Sequence, residues 1–295
     1  MDPRQLIALL KTPPWSVHAD DIKLEAVDIR QPFWQWSLIA RAMAPSILAR
    51  DRRIISITGS QGSGKSTLAR TLVQQFEALG VAAACVSLDD FYLSKQSRAD
   101  LSRDVHPLLA TRGVPGTHDS SRLGEVLEQF ANSKGLLTER LPRFDKGLDD
   151  RLEDIQVQAE VLVLEGWCLG VQPQPPELLR QPVNDLERLE DSQSIWRQWC
   201  NEQIRRHYQP LWALVDAWML LQPPGFAQVL EWRRQQELDL PPAQRMSEAA
   251  LQRFIQHYER LTRWQWLRPM VGRGMAIDLT EDHDIAAIRP LSRSD

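Results

Sequence analysis

The stretch Ile55-Ser56-Ile57-Thr58-Gly59-Ser60-Gln61-Gly62-Ser63-Gly64-Lys65-Ser66-Thr67-Leu68-Ala69-Arg70-Thr71-Leu72-Val73 passes from β-favouring residues through a knot of glycine and serine into a helical pattern. Gly59, Gly62 and Gly64 fall within six positions. Glycine loses more conformational freedom on folding than any other residue, so this clustering is expected where the backbone itself must approach a ligand. Gly59 to Ser66 also satisfies GxxxxGK[ST] between a predicted strand and a predicted helix, which predicts a phosphate-binding loop. The backbone N–H groups of Gly59, Ser60, Gln61, Gly62, Ser63 and Gly64 would converge on phosphate oxygens, with the positive end of the helix dipole behind them. Lys65 is expected to reach the β- and γ-phosphates of a nucleotide, Ser66 to help hold Mg²⁺ through its hydroxyl, and Thr67 to support the α-phosphate.

Working outward, Arg53–Thr58 reads as a strand, Ser66–Leu79 as a helix closed by Gly80, and residues 81–88 and 160–166 as two further apolar strands. Strands alternating with amphipathic helices predict an α/β fold, a doubly wound parallel sheet with helices on both faces. Residues 1–50 carry apolar side chains at three- and four-residue steps and read as a helical amino-terminal extension. Residues 213–224 read as a strand ended by Pro223 and Pro224, 229–238 as a short charged helix, 247–267 as a long amphipathic helix, and 275–279 as a final strand. In the long helix Leu251, Phe254, Ile255, Tyr258 and Leu261 share a face. Residues 111–121 and 143–151 are rich in turn formers and read as long loops, which inside an α/β core are usually functional.

Composition narrows the possibilities. The 295 residues are 43% hydrophobic and 25% charged, as expected of a globular chain with a large core. The 35 basic and 39 acidic residues leave a net charge of −4 without a basic stripe, which argues against general nucleic-acid binding. Cys85, Cys168 and Cys200 lack metal or CxxC spacing and are expected to be buried thiols in a reducing, cytoplasmic setting. No segment has the length or apolarity of a membrane span.

A phosphate loop alone does not define a reaction, so the acidic residues near strand ends carry the next step. Asp89 and Asp90 in Ser87-Leu88-Asp89-Asp90-Phe91-Tyr92-Leu93 lie just past the second strand, at the sheet edge that also carries the phosphate loop. A carboxylate there can take the proton of an attacking hydroxyl. Adjacent residues at a strand end point in opposite directions, so one acid is expected to face the reaction, and that one is Asp89. Glu165 follows an apolar strand and precedes Gly166; its expected role is Mg²⁺ coordination through water, opposite Ser66.

Together, Gly59–Thr67, Ser87–Ser94, Arg112–Asp119, Leu141–Gly147, Leu164–Pro173 and Glu231–Glu237 resemble the P-loop kinases that include plant and cyanobacterial D-glycerate 3-kinases, with uridine and pantothenate kinases as more distant relatives. The resemblance runs from about Ile54 to about Asp282 and implies a kinase domain over residues 51–295 with a small lid at about 225–240. It implies Lys65, Asp89, Glu165 and Arg233 as the catalytic set, Arg233 being similar to a lid arginine that closes over the transferring phosphoryl group. Segment 142–151 departs from the plant pattern in carrying Phe144 and Gly147.

A small acidic acceptor needs cations, and Arg112, Arg143 and Lys146 lie in the two loop segments. Tyr92, His118 and Asp119 complete the expected acceptor site, with Asp119 holding a hydroxyl and His118 donating a hydrogen bond. His106, His207, His257 and His283 have no spacing that suggests metal or nucleophile chemistry and read as structural or surface residues. Of the eleven tryptophans most are expected in helix packing, with one or two available to stack on adenine. The implied activity is ATP-dependent phosphorylation of a small hydroxy acid, D-glycerate foremost. Two alternatives remain: a different hydroxyl acceptor, pantothenate-like or a nucleoside, and a non-catalytic ATP-binding regulator.

Overall fold

A computed structural model describes residues 2–11, 27–31, 33–50, 52–242, 245–270 and 272–291; residues 12–26 of the expected amino-terminal extension lie outside the described residues. Helices α1 (Pro3–Lys11) and α2 (Trp34–Leu48) precede β1 (Ile54–Gly59), α3 (Lys65–Ala78) and β2 (Ala83–Ser87). Then come α4 (Lys95–Asp104), α5 (Ser120–Asn132), β3 (Leu137–Asp145), β4 (Asp150–Ala159) and β5 (Val161–Gly166). The chain continues through α6 (Asp185–Glu190), α7 (Ile195–Gln203), α8 (Gln209–Trp212), β6 (Ala217–Gln222), α9 (Phe226–Leu238), α10 (Glu248–Leu267), β7 (Gly274–Leu279) and β8 (Ile285–Pro290).

The main sheet has the order β2-β5-β1-β6-β7-β8. Its first five strands are parallel, and β8 pairs antiparallel with β7 at one edge. The expected doubly wound α/β sheet is therefore present, with one correction: 275–279 is not the last strand, because the chain turns back to form β8. Strands β1 and β5 are buried along their whole length, as strands covered on both faces must be. Ile55, Ile57, Val163, Met219 and Ile277 join the core on one face with Leu72 and Phe76 of α3 and with Trp36, Ile39 and Ile47 of α2. Their neighbours Leu162, Leu164, Leu220 and Ala276 point the other way, onto α5 and α10. The extension thus shares a core with the sheet through α2.

The segment 143–151, expected as a loop, is the end of an antiparallel hairpin of β3 and β4. Its tip is closed by the Asp145 carboxylate, which accepts from the backbone N–H of Gly147 (2.7 Å) and Leu148 (2.9 Å). Cys168 and Cys200 are buried, but Cys85 is exposed, contrary to expectation, because it faces outward from the edge strand β2. Among the described residues no helix is long and apolar enough to cross a membrane.

Candidate active site

The parallel register brings three strand ends to one edge. Ile57 of β1 and Ser87 of β2 both lie level with Glu165 of β5. Beyond β1 the loop 59–64 turns into α3 with Gly62 (φ 78) and Gly64 (φ 88) in left-handed conformations that favour glycine. The loop is also tightly enclosed: a Cβ on Gly62 would stand 2.5 Å from the Cβ of Trp232, and one on Gly59 would stand 2.6 Å from Ser63 Oγ. No side chain caps the start of α3 and no acid occupies its first turn, so the helix terminus is left for an external anion.

Ser66 Oγ donates to Glu165 Oε1 at 2.8 Å. Glu165 is 7% exposed, and its other oxygen, Oε2, is buried with no hydrogen-bond partner. A hydroxyl beside a carboxylate with a free buried oxygen, next to a phosphate loop, fits a Mg²⁺ that takes few protein ligands and completes its shell with water and phosphate. Among the described residues no cluster of three His, Cys, Asp or Glu could hold a metal by itself, so the cation would depend on this pair and the nucleotide. When bound, Mg²⁺ supplies charge neutralisation to the phosphates.

Asp89 and Asp90 sit in a 3₁₀ turn, Leu88–Phe91, rather than on an extended strand end, and the turn separates their roles. Asp90 accepts from the backbone N–H of Ser87 (3.1 Å) and of Phe144 (3.4 Å), so it closes the turn and ties it to the hairpin. Asp89 faces the cleft: Oδ1 accepts from the Tyr92 hydroxyl at 2.7 Å, and Oδ2 pairs with Lys146 Nζ at 2.6 Å. Burial alone would raise its pKa, but the charge and hydrogen bond of Lys146, with the Tyr92 bond and the charge of Lys65, hold it down at about 2.

A cleft of about 230 Å³ collects Gln61, Gly62, Lys65, Ser66, Asp89, Tyr92, Arg112, Lys146 and Arg233. Arg112 pairs with Asp149 and lies over the Phe144 ring, its Cζ 5.6 Å from the centroid. Asp149 also pairs with the buried Arg98 at 2.9 Å, which pins the hairpin tip beside the cleft. On α9, Arg233 pairs with Glu237 (2.5 Å). On the same helix, Trp232 presses on Gly62, stacks on His283 (centroids 4.1 Å apart) and donates from Nε1 to the Glu281 carbonyl (2.8 Å). His283 Nε2 in turn meets the Gly62 carbonyl at 2.8 Å, so His283 is part of the loop's support.

A second cavity, about 400 Å³, opens on the other side of the loop and shares Gly62, Lys65, Ser66 and Gln236 with the first. It is also lined by Thr67, Arg70, Phe33, Trp232 and His283. The loop therefore forms a sill between a space that holds Asp89 and one that does not.

Three expected acceptor residues lie outside the cleft. His118 is buried under Tyr92, stacked on it with centroids 5.0 Å apart, and its Nδ1 meets the Tyr208 hydroxyl at 2.8 Å. Burial lowers its pKa to about 4 against the opposing charge of Asp89, so it is a neutral support for Tyr92. Asp119 caps α5 by accepting from Arg122 N (3.0 Å) and pairs with Arg151 (2.9 Å). Arg143 is exposed on β3 and does not line the cleft. The cleft instead gains Trp167, Gln236, Phe254 and Tyr258. Trp167 donates to the Gly113 carbonyl (2.7 Å) and Tyr258 to the Arg112 carbonyl (3.0 Å), which fixes the glycine-rich segment against the site. Phe254 and Tyr258 lie on the apolar face of α10 already evident in the sequence, but nothing local marks that face as a cleft wall.

Residues 54–179 match the family model described as "Phosphoribulokinase / Uridine kinase family". An uncharacterized kinase of Schizosaccharomyces pombe, mug58, is 32% identical over 220 residues, which cover 70% of this chain and 78% of that relative. The chain belongs to the phosphoribulokinase/uridine kinase family. Among other members, the chloroplastic D-glycerate 3-kinase of Arabidopsis thaliana is 28% identical over 220 residues, 70% of this chain but only 46% of that longer protein. The solved structure of D-glycerate 3-kinase from Cryptococcus neoformans var. grubii covers 86% of this chain and 98% of its own, with a TM-score of 0.73 and 25% identity. The chain is thus a P-loop kinase of the small-molecule type.

Proposed function

We propose that the protein transfers the γ-phosphoryl group of ATP to a hydroxyl of D-glycerate, giving 3-phosphoglycerate. The observation that carries this reading is one cleft in which Lys65 and Ser66 of the phosphate loop, the carboxylate of Asp89, and the cations Lys146 and Arg112 line the same small volume. A loop lysine and a helix terminus suit a polyphosphate, an ionised carboxylate facing the cleft suits proton acceptance from an alcohol, and two cations beside it suit an acceptor that carries its own carboxylate. The D-glycerate 3-kinases among its relatives support the same acceptor.

In this reading the nucleoside end of ATP occupies the cavity lined by Phe33, Thr67, Arg70 and His283, and the triphosphate crosses the glycine sill toward Asp89. Ser66 and Glu165 hold Mg²⁺. Asp89 orients the acceptor hydroxyl and receives its proton as the oxygen attacks the γ-phosphorus and ADP departs. Lys65 and Arg233 neutralise charge on the transferring group, and α9 keeps water from competing with the alcohol. Catalysis rests on positioning and charge, with no covalent intermediate on the protein.

The test is ADP release in the presence of D-glycerate, pantothenate or uridine, each with Mg²⁺–ATP. Strong stimulation by D-glycerate alone is expected. Stimulation by uridine or pantothenate instead would keep the kinase and remove the acceptor; no stimulation by any member would favour a nucleotide-binding regulator.

A further inference from the structure

The two cations at the acceptor end of the cleft are held in different ways. Arg112 is fixed: its guanidinium pairs with Asp149, donates to the Lys146 carbonyl at 3.3 Å and lies over the Phe144 ring. Lys146 sits at the hairpin tip beside Gly147 with its side chain 63% exposed, and its ammonium pairs with Asp89 Oδ2 at 2.6 Å. Asp89 thus has both oxygens engaged, Oδ1 by Tyr92 and Oδ2 by Lys146. The oxygen with the looser partner is Oδ2, and an incoming hydroxyl can reach the carboxylate there only if Lys146 moves.

We infer that Lys146 is a specificity-determining residue that exchanges partners: it covers Asp89 in the acceptor-free enzyme and passes to the carboxylate of an anionic acceptor, freeing Asp89 Oδ2 for the hydroxyl. This rests on the acceptor reading above. The flexible four-carbon stem of a lysine, exposed at a tip next to glycine, can swing over a few ångströms, whereas the arginine beside it is held by two separate acceptors, Asp149 and the Lys146 carbonyl. An uncharged alcohol offers nothing to draw the ammonium away. It must break an ion pair without making another, so phosphoryl transfer becomes conditional on a negative charge near the hydroxyl. The same cover also protects ATP, since a water in the acceptor position meets a base already engaged. Departure of Lys146 strengthens Asp89 as a proton acceptor at the moment the alcohol arrives, because Lys146 is the foremost of the groups that depress its pKa, ahead of Tyr92 and Lys65.

The experiment compares the wild-type chain with Lys146→Met, Lys146→Arg and the double variant Asp89→Asn/Lys146→Met. ADP release is measured without acceptor, with D-glycerate, and with glycerol, which has the same carbon skeleton but no carboxylate. Lys146→Met is expected to raise acceptor-free hydrolysis by roughly tenfold, to raise the KM for D-glycerate by at least about tenfold with a smaller change in kcat, and to abolish the preference for D-glycerate over glycerol. Lys146→Arg should restore much of the preference. The double variant should lose the extra hydrolysis, showing that the lysine acts through Asp89. Acceptor-free hydrolysis that is equal in wild type and Lys146→Met overturns the exchange whichever acceptor the enzyme uses. A wild type that D-glycerate does not stimulate, paired with raised hydrolysis in Lys146→Met, supports the exchange and removes only the named acceptor.

Discussion

Gly62→Ala is the sharpest perturbation of the phosphate loop, because two separate penalties can be worked out and one of them has an internal control. Gly62 has φ 78, a conformation that costs an L-residue about 1–2 kcal/mol. A new Cβ would also stand 2.5 Å from the Trp232 Cβ, so the loop and α9 must part by about 1 Å to reach ordinary carbon contact. Trp232 is 1% exposed and tethered to Glu281 and His283, so that movement is resisted, as overpacking generally is, at about 1–3 kcal/mol. The sum is about 2–5 kcal/mol. Gly80 has the same φ of 78, but a Cβ there meets nothing within 4 Å, so Gly80→Ala isolates the backbone cost. Urea unfolding should show Gly80→Ala losing about 1–2 kcal/mol, with ATP affinity by calorimetry unchanged. Gly62→Ala should lose more in unfolding, or weaken ATP by at least about tenfold, each tenfold being 1.4 kcal/mol. A Gly62→Ala protein that binds ATP as the wild type does and is no less stable than Gly80→Ala would show that Trp232 does not confine the loop at Gly62.

Further outcomes follow from the same geometry. Glu165→Gln keeps an oxygen for the Ser66 hydroxyl but places an amide where the free carboxylate oxygen was; the Mg²⁺ concentration for half-maximal activity should rise by about 10–100-fold with melting unchanged, and an unaltered Mg²⁺ titration would contradict the assignment. Phe33→Ala should raise the KM for ATP severalfold while leaving the KM for the acceptor unaltered, and the opposite pattern would mean that the cavity beside Phe33 does not take the nucleoside. His118 and His257 both have pKa values lowered to about 4 by burial. The unfolded chain therefore takes up protons first, and stability should decline as pH falls from about 6.5 to about 4, by up to about 3 kcal/mol per histidine. Melting at pH 7 and pH 5 should show this slope, and His118→Asn should flatten it; a slope unchanged in that variant would show that native His118 takes up its proton as readily as the unfolded chain does.

The parts of this architecture that were legible in the sequence are those whose chemistry is local. A phosphate loop needs glycine at left-handed positions and an unencumbered helix start, and both are written in adjacent residues. Strands covered on both faces read as apolar runs, so β1, β5 and β6 stood out, and the acids just past β2 and at the end of β5 could be placed on one sheet edge. The β3–β4 hairpin was not legible, because β3 carries no apolar run, seven of its nine residues being half-buried or exposed, and its Asp-Lys-Gly tip uses turn residues that a loop would also use. His118 and Asp119 looked like acceptor groups because they lie in a glycine-rich segment, but one is buried behind Tyr92 and the other begins α5. Nor could spacing reveal that Trp232 and His283, far apart in the chain, clasp Gly62. β8 carries short alternating apolar residues after a turn, a weak signal that only pairing with β7 makes definite.

In the proposed reaction the Asp89 carboxylate faces a bound triphosphate and takes the proton of the acceptor alcohol. Asp89→Asn tests it directly, through acceptor-dependent ADP release alongside ATP affinity in the same preparation. The acceptor-dependent rate should fall by about 10²–10⁴-fold while ATP binding stays within about twofold of wild type. A variant that still phosphorylates its acceptor at close to the wild-type rate would contradict it.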